Sequence, residues 1–286
     1  MSEEIPIVTL ADGRRVAYLE VGDPGGRPVI SCHGGLSSRL DVQSAAASAA
    51  ALGVRVICPD RPGIGGSDPQ PGRVLKDWPA EVEQLADHLG LESFAVMGWS
   101  AGGMYAQACA AQLPDRVTRL GLMASVIPRE WPGMIAEINR TDRALMRLSG
   151  QGAVIERLMF WTLRVSARIS PAMVAKRSGA PDEVAGGMGD AIAAAMVDTR
   201  WAVQEYQLLN TPWGFDPASI TVPTIIWQGT ADHLVPPSWA ERLAAAIPGA
   251  DLHLVEGADH FLWYDHWDQV LGTLTRDPGL SDNRSA

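Results

Sequence analysis

The chain has 286 residues, of which 47% are hydrophobic and 20% are charged, so it is long and apolar enough for one large globular domain with room for an insertion. Its formal net charge of −10 argues against nucleic acid or an anionic membrane surface as a partner, because both would repel it. No apolar stretch reaches the length that a membrane span requires, and we expect no membrane association.

Short apolar runs alternate along the chain with longer helical patterns. Several of these runs contain almost no polar residues, as in strands that helices cover on both faces. The alternation predicts an α/β fold with a mostly parallel sheet of about eight strands flanked by helices. The first two runs, joined by the turn LADGRR, indicate an antiparallel hairpin at the sheet's edge. The predicted strands are 5–10, 14–22, 27–33, 54–60, 93–98, 116–125, 222–229 and 251–257, and helices between them include 40–53, 78–90, 101–113 and 238–248.

The strand rhythm stops between residues 127 and 212. This segment holds helical patterns separated by prolines, with no strand candidate among them. Because the strand pattern resumes afterwards, we predict an all-helical insertion rather than a separate domain. The main domain would then comprise 1–126 and 213–275, and the polar end, 276–286, is predicted to be disordered.

A serine stands between two glycines where a predicted strand gives way to a helix. Ser100 lies in the stretch FAVMGWSAGGMYAQACA, flanked at two residues' distance by Gly98 and Gly102. Glycines allow a sharp turn and a close approach of strand and helix, which is the setting of a nucleophile elbow. The alternative is a small polar residue in a glycine-rich bend. A nucleophilic Ser100 would need a base, because a hydroxyl is a weak nucleophile at neutral pH.

His260 is the best placed of six histidines to be that base, because it lies just beyond the last predicted strand. The carboxyl ends of parallel strands share one edge, where ligands bind such sheets. Asp232 follows strand 222–229 on the same edge and is predicted to hold the imidazole. Asp259 is the rival, but its position next to His260 places its side chain poorly. A solvated loop histidine is the simpler reading of His260.

Two backbone N–H groups are predicted to form an oxyanion hole. One belongs to Ala101, directly after the serine, and the other comes from the loop that follows strand 27–33. In that loop we assign Gly35, with Leu36 as the near alternative, although two glycines there could equally form an ordinary turn. We expect His33 to brace the loop rather than take part in chemistry.

Five short stretches follow one another in a characteristic order. They are HGGLSSR (33–39), DRPGIGGSD (60–68), GWSAGG (98–103), GTADHLVP (229–236) and GADHF (257–261). On these stretches the chain resembles the α/β-hydrolase superfamily over nearly its whole length. The resemblance implies a helical cap, formed by the insertion, over the active site. It also implies that the stretch 60–68 shapes a turn near the pocket, so Asp60, Arg61 and Ser67 would be structural.

Within the superfamily, the HGG stretch is similar to that of proline iminopeptidases and ring-cleavage hydrolases. Both typically continue with Pro-Gly, where this chain has Leu36 and Ser37. The serine at position 100 disfavours haloalkane dehalogenases and epoxide hydrolases, whose nucleophile is aspartate. Cofactor-free haloperoxidases share the serine triad, which makes perhydrolysis a candidate side activity.

These features predict a serine hydrolase that works by acyl transfer on a small, largely apolar ester, thioester or lactone, without a metal or an organic cofactor. Aminopeptidase-like or carbon–carbon bond cleavage on the same triad is the alternative, and a non-catalytic binding protein is a third. We expect a small-molecule substrate, neither nucleic acid nor a membrane as a partner, and a monomer or homodimer. We predict that Leu36, Trp99, Trp131 and Trp161 form the substrate pocket.

The cysteine pattern and the start of the chain bear on its compartment. Cys32, Cys58 and Cys109 are odd in number and lie in apolar contexts, which favours buried, reduced thiols over disulfides. The first residues lack the basic and apolar regions of a signal peptide. We therefore expect a cytoplasmic protein.

Overall fold

The computed structural model describes residues 5–148, 153–177 and 179–276. Its strands are β1 (Ile7–Thr9), β2 (Arg15–Gly22), β3 (Arg27–Cys32), β4 (Val54–Pro59), β5 (Phe94–Trp99), β6 (Val117–Met123), β7 (Thr224–Gly229) and β8 (Asp251–Val255). They form one sheet in the order β1-β2-β4-β3-β5-β6-β7-β8. β2 is antiparallel to both β1 and β4, and the other neighbours are parallel. The predicted α/β architecture and its edge hairpin are confirmed.

Helices flank the sheet and follow most strands. They are α1 (Ala46–Ala51), α2 (Trp78–His88), α3 (Gly102–Gln112), α4 (Met134–Glu137), α5 (Arg140–Leu148), α6 (Ala153–Ile169), α7 (Pro171–Arg177), α8 (Asp182–Ala195), α9 (Thr199–Leu209), α10 (Pro237–Ala246) and α11 (Trp267–Leu274). The predicted helix 40–53 is a 3₁₀ segment, Arg39–Ala45, followed by α1. No helix in the described ranges is both long and apolar enough to cross a membrane.

The central strands are covered on both faces. Every residue of β5 and β7 is buried, which explains why these stretches read as uninterrupted apolar runs. α3 packs on β3, β5 and β6, whereas α10 packs on β7 and β8. The strands at the middle of the sheet are therefore held firmly, and the turns at their carboxyl ends have a rigid base.

Helices α4 to α9 lie between β6 and β7. They run from Met134 to Leu209, inside the predicted insertion 127–212, and the described part of this segment contains no strand. All of the predicted disordered end except Arg276 lies outside the described residues.

A buried ion cluster joins α9 to α3 and to the segment between β4 and α2. Glu205 of α9 accepts a hydrogen bond from Arg61 Nε at 2.8 Å and pairs with Arg73 through its other oxygen. The Tyr105 hydroxyl on α3 donates to Glu205 at 3.1 Å, and all four side chains are buried. One carboxylate thus pairs with two buried guanidinium groups and offsets only one of their two positive charges.

We expect Glu205→Ala to lower the free energy of unfolding by about 3–5 kcal/mol, because removing one partner of a buried pair leaves the other charges uncompensated. Urea unfolding monitored by tryptophan fluorescence measures this. Glu241→Ala is the matched control, since Glu241 is exposed on α10, and a change within about 0.5 kcal/mol is expected there. Equal effects of the two substitutions would contradict the role assigned to the cluster.

Candidate active site

Ser100 occupies a strained turn between β5 and α3. Its φ of 55° lies in the left-handed region that residues other than glycine rarely adopt. Its N–H donates to the carbonyl of Met123 at 2.9 Å, and its own carbonyl accepts from Gly103 and Val126. A side chain at Gly98 would overlap the backbone of Gly102, so the strand and the helix leave no space for one. Contacts from β6, α3 and the loop after β6 therefore hold the turn in its strained conformation, and such strain persists only where the surroundings enforce it.

His260 and Asp232 form a buried pair on neighbouring turns. The turn after β8 carries His260 and the turn after β7 carries Asp232, with 2.8 Å between His260 Nδ1 and Asp232 Oδ2. Asp232 Oδ1 accepts from the N–H groups of Leu234 and Val235 at 2.8 and 2.9 Å, and Gln228 Nε2 donates to Oδ2 at 3.1 Å. These contacts fix the carboxylate's position behind the ring.

The electrostatics of this pair favour one tautomer. Burial would raise the pKa of Asp232, but the hydrogen bond with His260 and those from two backbone N–H groups outweigh it and lower the pKa below its usual value. An ionised carboxylate accepts a hydrogen bond from Nδ1–H, so the proton stays on Nδ1 and Nε2 is available as an acceptor for a second partner. The indole N–H of Trp99 donates to the carbonyl of His260 at 3.0 Å and holds the residue from the other side.

Asp259 has a different role in the same turn. Its Oδ1 accepts a hydrogen bond from the backbone N–H of Phe261 at 2.8 Å. This contact caps the turn that carries His260, whereas the imidazole itself is held by Asp232.

Ser100 and His260 line one cavity of about 430 Å³ at the carboxyl edge of the sheet. Four of the predicted site residues, Gly35, Leu36, Trp99 and Ala101, also line it. Each of the helices α5 to α9 contributes side chains to the remaining wall of this cavity. That wall is mainly apolar and includes Met146, Leu163, Val174, Met188, Ile192 and Leu209.

The family follows from comparison with known proteins. A family model described as the alpha/beta hydrolase fold matches residues 27–266. The chain belongs to the α/β-hydrolase family. Among the described residues of this α/β hydrolase, no group of three or more His, Cys, Asp and Glu side chains is arranged to hold a metal ion.

Proteins similar to this chain are named for several different activities. A non-heme chloroperoxidase of Streptomyces lividans is 26% identical, with 91% of this chain and 94% of that protein covered. A 2-hydroxy-6-oxononadienedioate/2-hydroxy-6-oxononatrienedioate hydrolase of Cupriavidus pinatubonensis is 27% identical, with 91% and 90% covered. The esterase EaEST of Exiguobacterium antarcticum superimposes with a TM-score of 0.71 at 18% identity, covering 96% and 100%.

A partial match extends to a much larger protein. The polyketide synthase ThaQ of Burkholderia thailandensis is 30% identical over 226 residues, which is 72% of this chain but only 10% of that synthase. The α/β-hydrolase chain thus corresponds to a small part of ThaQ.

Trp131 and Trp161, which we predicted to line the pocket of this α/β hydrolase, lie outside the cavity. Trp161 on α6 is 55% exposed, whereas its neighbour Phe160 is fully buried, because adjacent residues of a helix point about 100° apart. Trp131 is half-buried beside a separate depression and lies under Arg242, whose guanidinium is 5.3 Å from the ring centre.

A polar cluster on the cavity wall was not singled out by sequence reasoning. Asp142 of α5 accepts hydrogen bonds from Asn139 Nδ2 at 2.7 Å and from the hydroxyl of Tyr206 on α9 at 3.2 Å. Burial, followed by the charge of Asp142, raises the pKa of Tyr206 well above its usual value, so its hydroxyl stays protonated. No motif links these positions, and only the packing of α5 on α9 brings them together.

The loop after β3 is braced from beneath by His33. Its Nε2 accepts from the backbone N–H of Arg61 at 3.3 Å, so its Nδ1 carries the proton and donates to the carbonyl of Gly34 at 3.1 Å. Burial lowers the pKa of His33 well below its usual value, and the ring is neutral. These contacts agree with the bracing role expected of His33.

Asp41 holds the same loop from the other side. Its Oδ2 accepts from the N–H of Gly34 at 2.8 Å, and Ser37 Oγ donates to its Oδ1. Burial raises the pKa of this carboxyl to about 6, against the smaller opposing effect of these hydrogen bonds. Between about pH 4 and pH 6, the folded protein therefore keeps a proton on Asp41 that the unfolded chain has already released.

Asp41→Asn is expected to gain stability relative to the wild type as the pH rises. Because the folded pKa exceeds the unfolded one, the stability that protonated Asp41 contributes is complete below about pH 4 and is lost as the pH rises through about 6. Asparagine resembles the protonated acid, so we expect the difference in unfolding free energy to shift by about 1–2 kcal/mol in its favour between pH 5 and pH 8. Urea unfolding at both pH values measures it, and a constant difference would contradict the raised pKa.

Proposed function

We propose that this protein is a serine hydrolase that cleaves a small, largely apolar ester, thioester or lactone by acyl transfer. Ser100 is the nucleophile, His260 is the general base, and Asp232 orients and stabilises the imidazole. The N–H groups of Gly35 and Ala101 form the oxyanion hole. The observation that carries the proposal is the buried His260–Asp232 pair beside the strained Ser100 turn, at one apolar cavity.

The reaction proceeds in two halves. Ser100 Oγ attacks the carbonyl carbon while His260 Nε2 accepts its proton, and the negative charge on the carbonyl oxygen is stabilised by the two N–H groups. The intermediate collapses as His260 returns the proton to the leaving group. Water then attacks the acyl-enzyme with His260 again as the base, and Ser100 is released with its proton.

The cavity supports an apolar acyl group. A volume of about 430 Å³ with walls of leucine, isoleucine, valine and methionine side chains suits an aliphatic or small aromatic substituent. Water is displaced from these walls when the substituent binds, which favours binding and strengthens the electrostatic interactions at the carbonyl.

An aminopeptidase-like activity is the second candidate. Asp142 lies on the cavity wall, and its described partners, Asn139 and Tyr206, are both neutral, so an ammonium group of a substrate would find a counter-charge there. Cleavage of a carbon–carbon bond on the same triad belongs in the same test, and the Cupriavidus relative, which is named as an oxononadienedioate hydrolase, suggests a dienoate as its substrate.

A substrate panel tests these alternatives. It comprises p-nitrophenyl esters with acyl chains of two to eight carbons, an aliphatic thioester, a lactone, aminoacyl p-nitroanilides and a ring-cleavage dienoate, each with Ser100→Ala as the blank. We expect the esters to be turned over fastest, with kcat/KM rising with chain length until the cavity is filled. A preference for the anilides or the dienoate would favour the second candidates, and turnover that persists in the blank would contradict the proposal.

A further inference from the structure

The buried guanidinium group of Arg61 donates hydrogen bonds to the loop that carries Gly35. Arg61 donates from Nη2 to the carbonyl of Gly34 at 2.9 Å and from Nη1 to the carbonyl of His33. Its side chain is completely buried, and its guanidinium lies 4.4 Å from the centre of the Tyr105 ring. The two Nη groups of Arg61 thus donate to consecutive backbone carbonyls of one loop.

One of these carbonyls shares a peptide unit with the predicted oxyanion donor. The C=O of Gly34 and the N–H of Gly35 belong to the same planar trans peptide and point in opposite directions. A donor fixed on the carbonyl side therefore fixes the direction of the N–H on the other side. Gly35 lines the cavity together with Ser100, whereas Arg61 does not.

We propose that Arg61 is a positioning residue that aims and polarises the Gly35 N–H for the oxyanion, an inference that rests on the function proposed above. The positively charged guanidinium that donates to the Gly34 carbonyl oxygen draws electron density through the peptide. The Gly35 N–H of that peptide thereby becomes a stronger donor. The effect is large where water is excluded, and His33 Nδ1 donates to the same oxygen. Arg61 acts on the transition state without touching the substrate.

The helical segment between β6 and β7 takes part through Glu205. The α9 carboxylate accepts from Arg61 Nε at 2.8 Å, and the same carboxylate oxygen lies 2.7 Å from Nη2, the nitrogen that also donates to the carbonyl of Gly34. The segment therefore does more than line the cavity, because it supplies the counter-charge that keeps Arg61 beneath the oxyanion loop.

Arg73 is a matched control for Arg61. It is also buried, pairs with the same Glu205 and lies beside the same Tyr105 ring at 5.7 Å. Its described hydrogen bonds go to Glu205 and to the hydroxyl of Tyr105, and none reaches the loop. Loss of either arginine removes one positive charge from the same cluster, but only loss of Arg61 removes the charged donor from the Gly34 carbonyl and leaves it with the neutral donor His33 Nδ1.

The experiment compares Arg61→Met and Arg73→Met with the wild type on p-nitrophenyl butyrate, after active-site titration and melting curves establish the folded, reactive fraction. We expect kcat to fall by about 10–100-fold in Arg61→Met with little change in KM, less than the loss that removal of an oxyanion donor causes. In Arg73→Met we expect a change in kcat within about threefold, despite a similar loss of thermal stability. Equal changes of kcat in the two variants would overturn the inference.

A second pair of variants preserves the charge in case Arg61→Met does not fold. Lysine in place of arginine keeps the ion pair but cannot span two carbonyls with a rigid fork. The readout is the ¹³C shift, against pH, of the hemiketal carbon formed by a labelled trifluoromethyl ketone, which reports the pKa of the bound oxyanion. We expect this pKa to rise in Arg61→Lys and to stay unchanged in Arg73→Lys, and an unchanged value in both would overturn the inference.

The two proposals fail in different ways. If the wild-type protein shows no turnover, or turnover that Ser100→Ala does not reduce, both the proposed function and this inference are overturned. Turnover that depends on Ser100 but responds equally to substitution of Arg61 and Arg73 would overturn the inference alone.

Discussion

Ser100→Ala should lower kcat for the best ester of the panel by about 10⁴–10⁶-fold. The substitution removes the hydroxyl oxygen that we propose as the nucleophile, whereas the proposed oxyanion donors and the apolar cavity stay in place. Steady-state turnover at pH 8 measures it, with the background rate of the ester subtracted. Alanine and serine are equally strained at the φ of 55°, so the melting temperature should hardly change.

Ser125→Ala is the matched control for this substitution. Ser125 is also a buried serine beside α3, where it accepts from Gln107 and donates to the carbonyl of Val126, but it does not line the cavity. We expect its kcat to stay within about threefold of the wild type, since it loses only a hydrogen bond of ordinary strength. A loss in Ser125→Ala that equals the loss in Ser100→Ala would show that the effect is not one of a nucleophile.

Asp232→Asn should lower kcat by about 10⁴-fold with the fold intact. Asparagine can still accept from Leu234 and Val235, but its amide would direct an N–H at His260 Nδ1. The imidazole would then carry its proton on Nε2, where it cannot accept one from Ser100. Steady-state turnover between pH 6 and pH 9 measures the loss, which a higher pH should not restore.

Asp259→Asn separates the two acidic residues near His260. Because Asp259 accepts from the backbone N–H of Phe261 and asparagine can do the same, we expect a loss of less than about tenfold. A larger loss in Asp259→Asn than in Asp232→Asn would assign the orienting role to Asp259 instead.

The sheet and the Ser100 turn could be predicted because local sequence determines them. Strands β5 and β7 are buried throughout, so they read as apolar runs whatever surrounds them. The backbone of the turn leaves no space for a side chain at position 98. The glycine that meets this requirement can be read directly from the sequence. Parallel strands also bring the turns of Asp232 and His260 to one edge, which is why residues distant in sequence could be paired.

The cavity wall could not be predicted because it depends on how helices turn relative to one another. Trp161 and Leu163 are two residues apart on α6, and only the leucine faces the cavity. The cluster around Asp142 needs α5 and α9 to meet. In the same way, the stretch DRPGIGGSD identifies a turn, but nothing in it reveals that the Arg61 side chain reaches back to the carbonyl of Gly34.

The central claim is that Ser100 is an activated nucleophile, and covalent labelling tests it most directly. The folded protein is treated with a fluorophosphonate that carries an aliphatic chain, and the adduct is counted by intact mass and located by peptide mapping. We predict one adduct per chain, on Ser100, formed much more slowly in Asp232→Asn and absent in Ser100→Ala. A folded wild-type protein that stays unlabelled, or that is labelled at another residue, would contradict the claim.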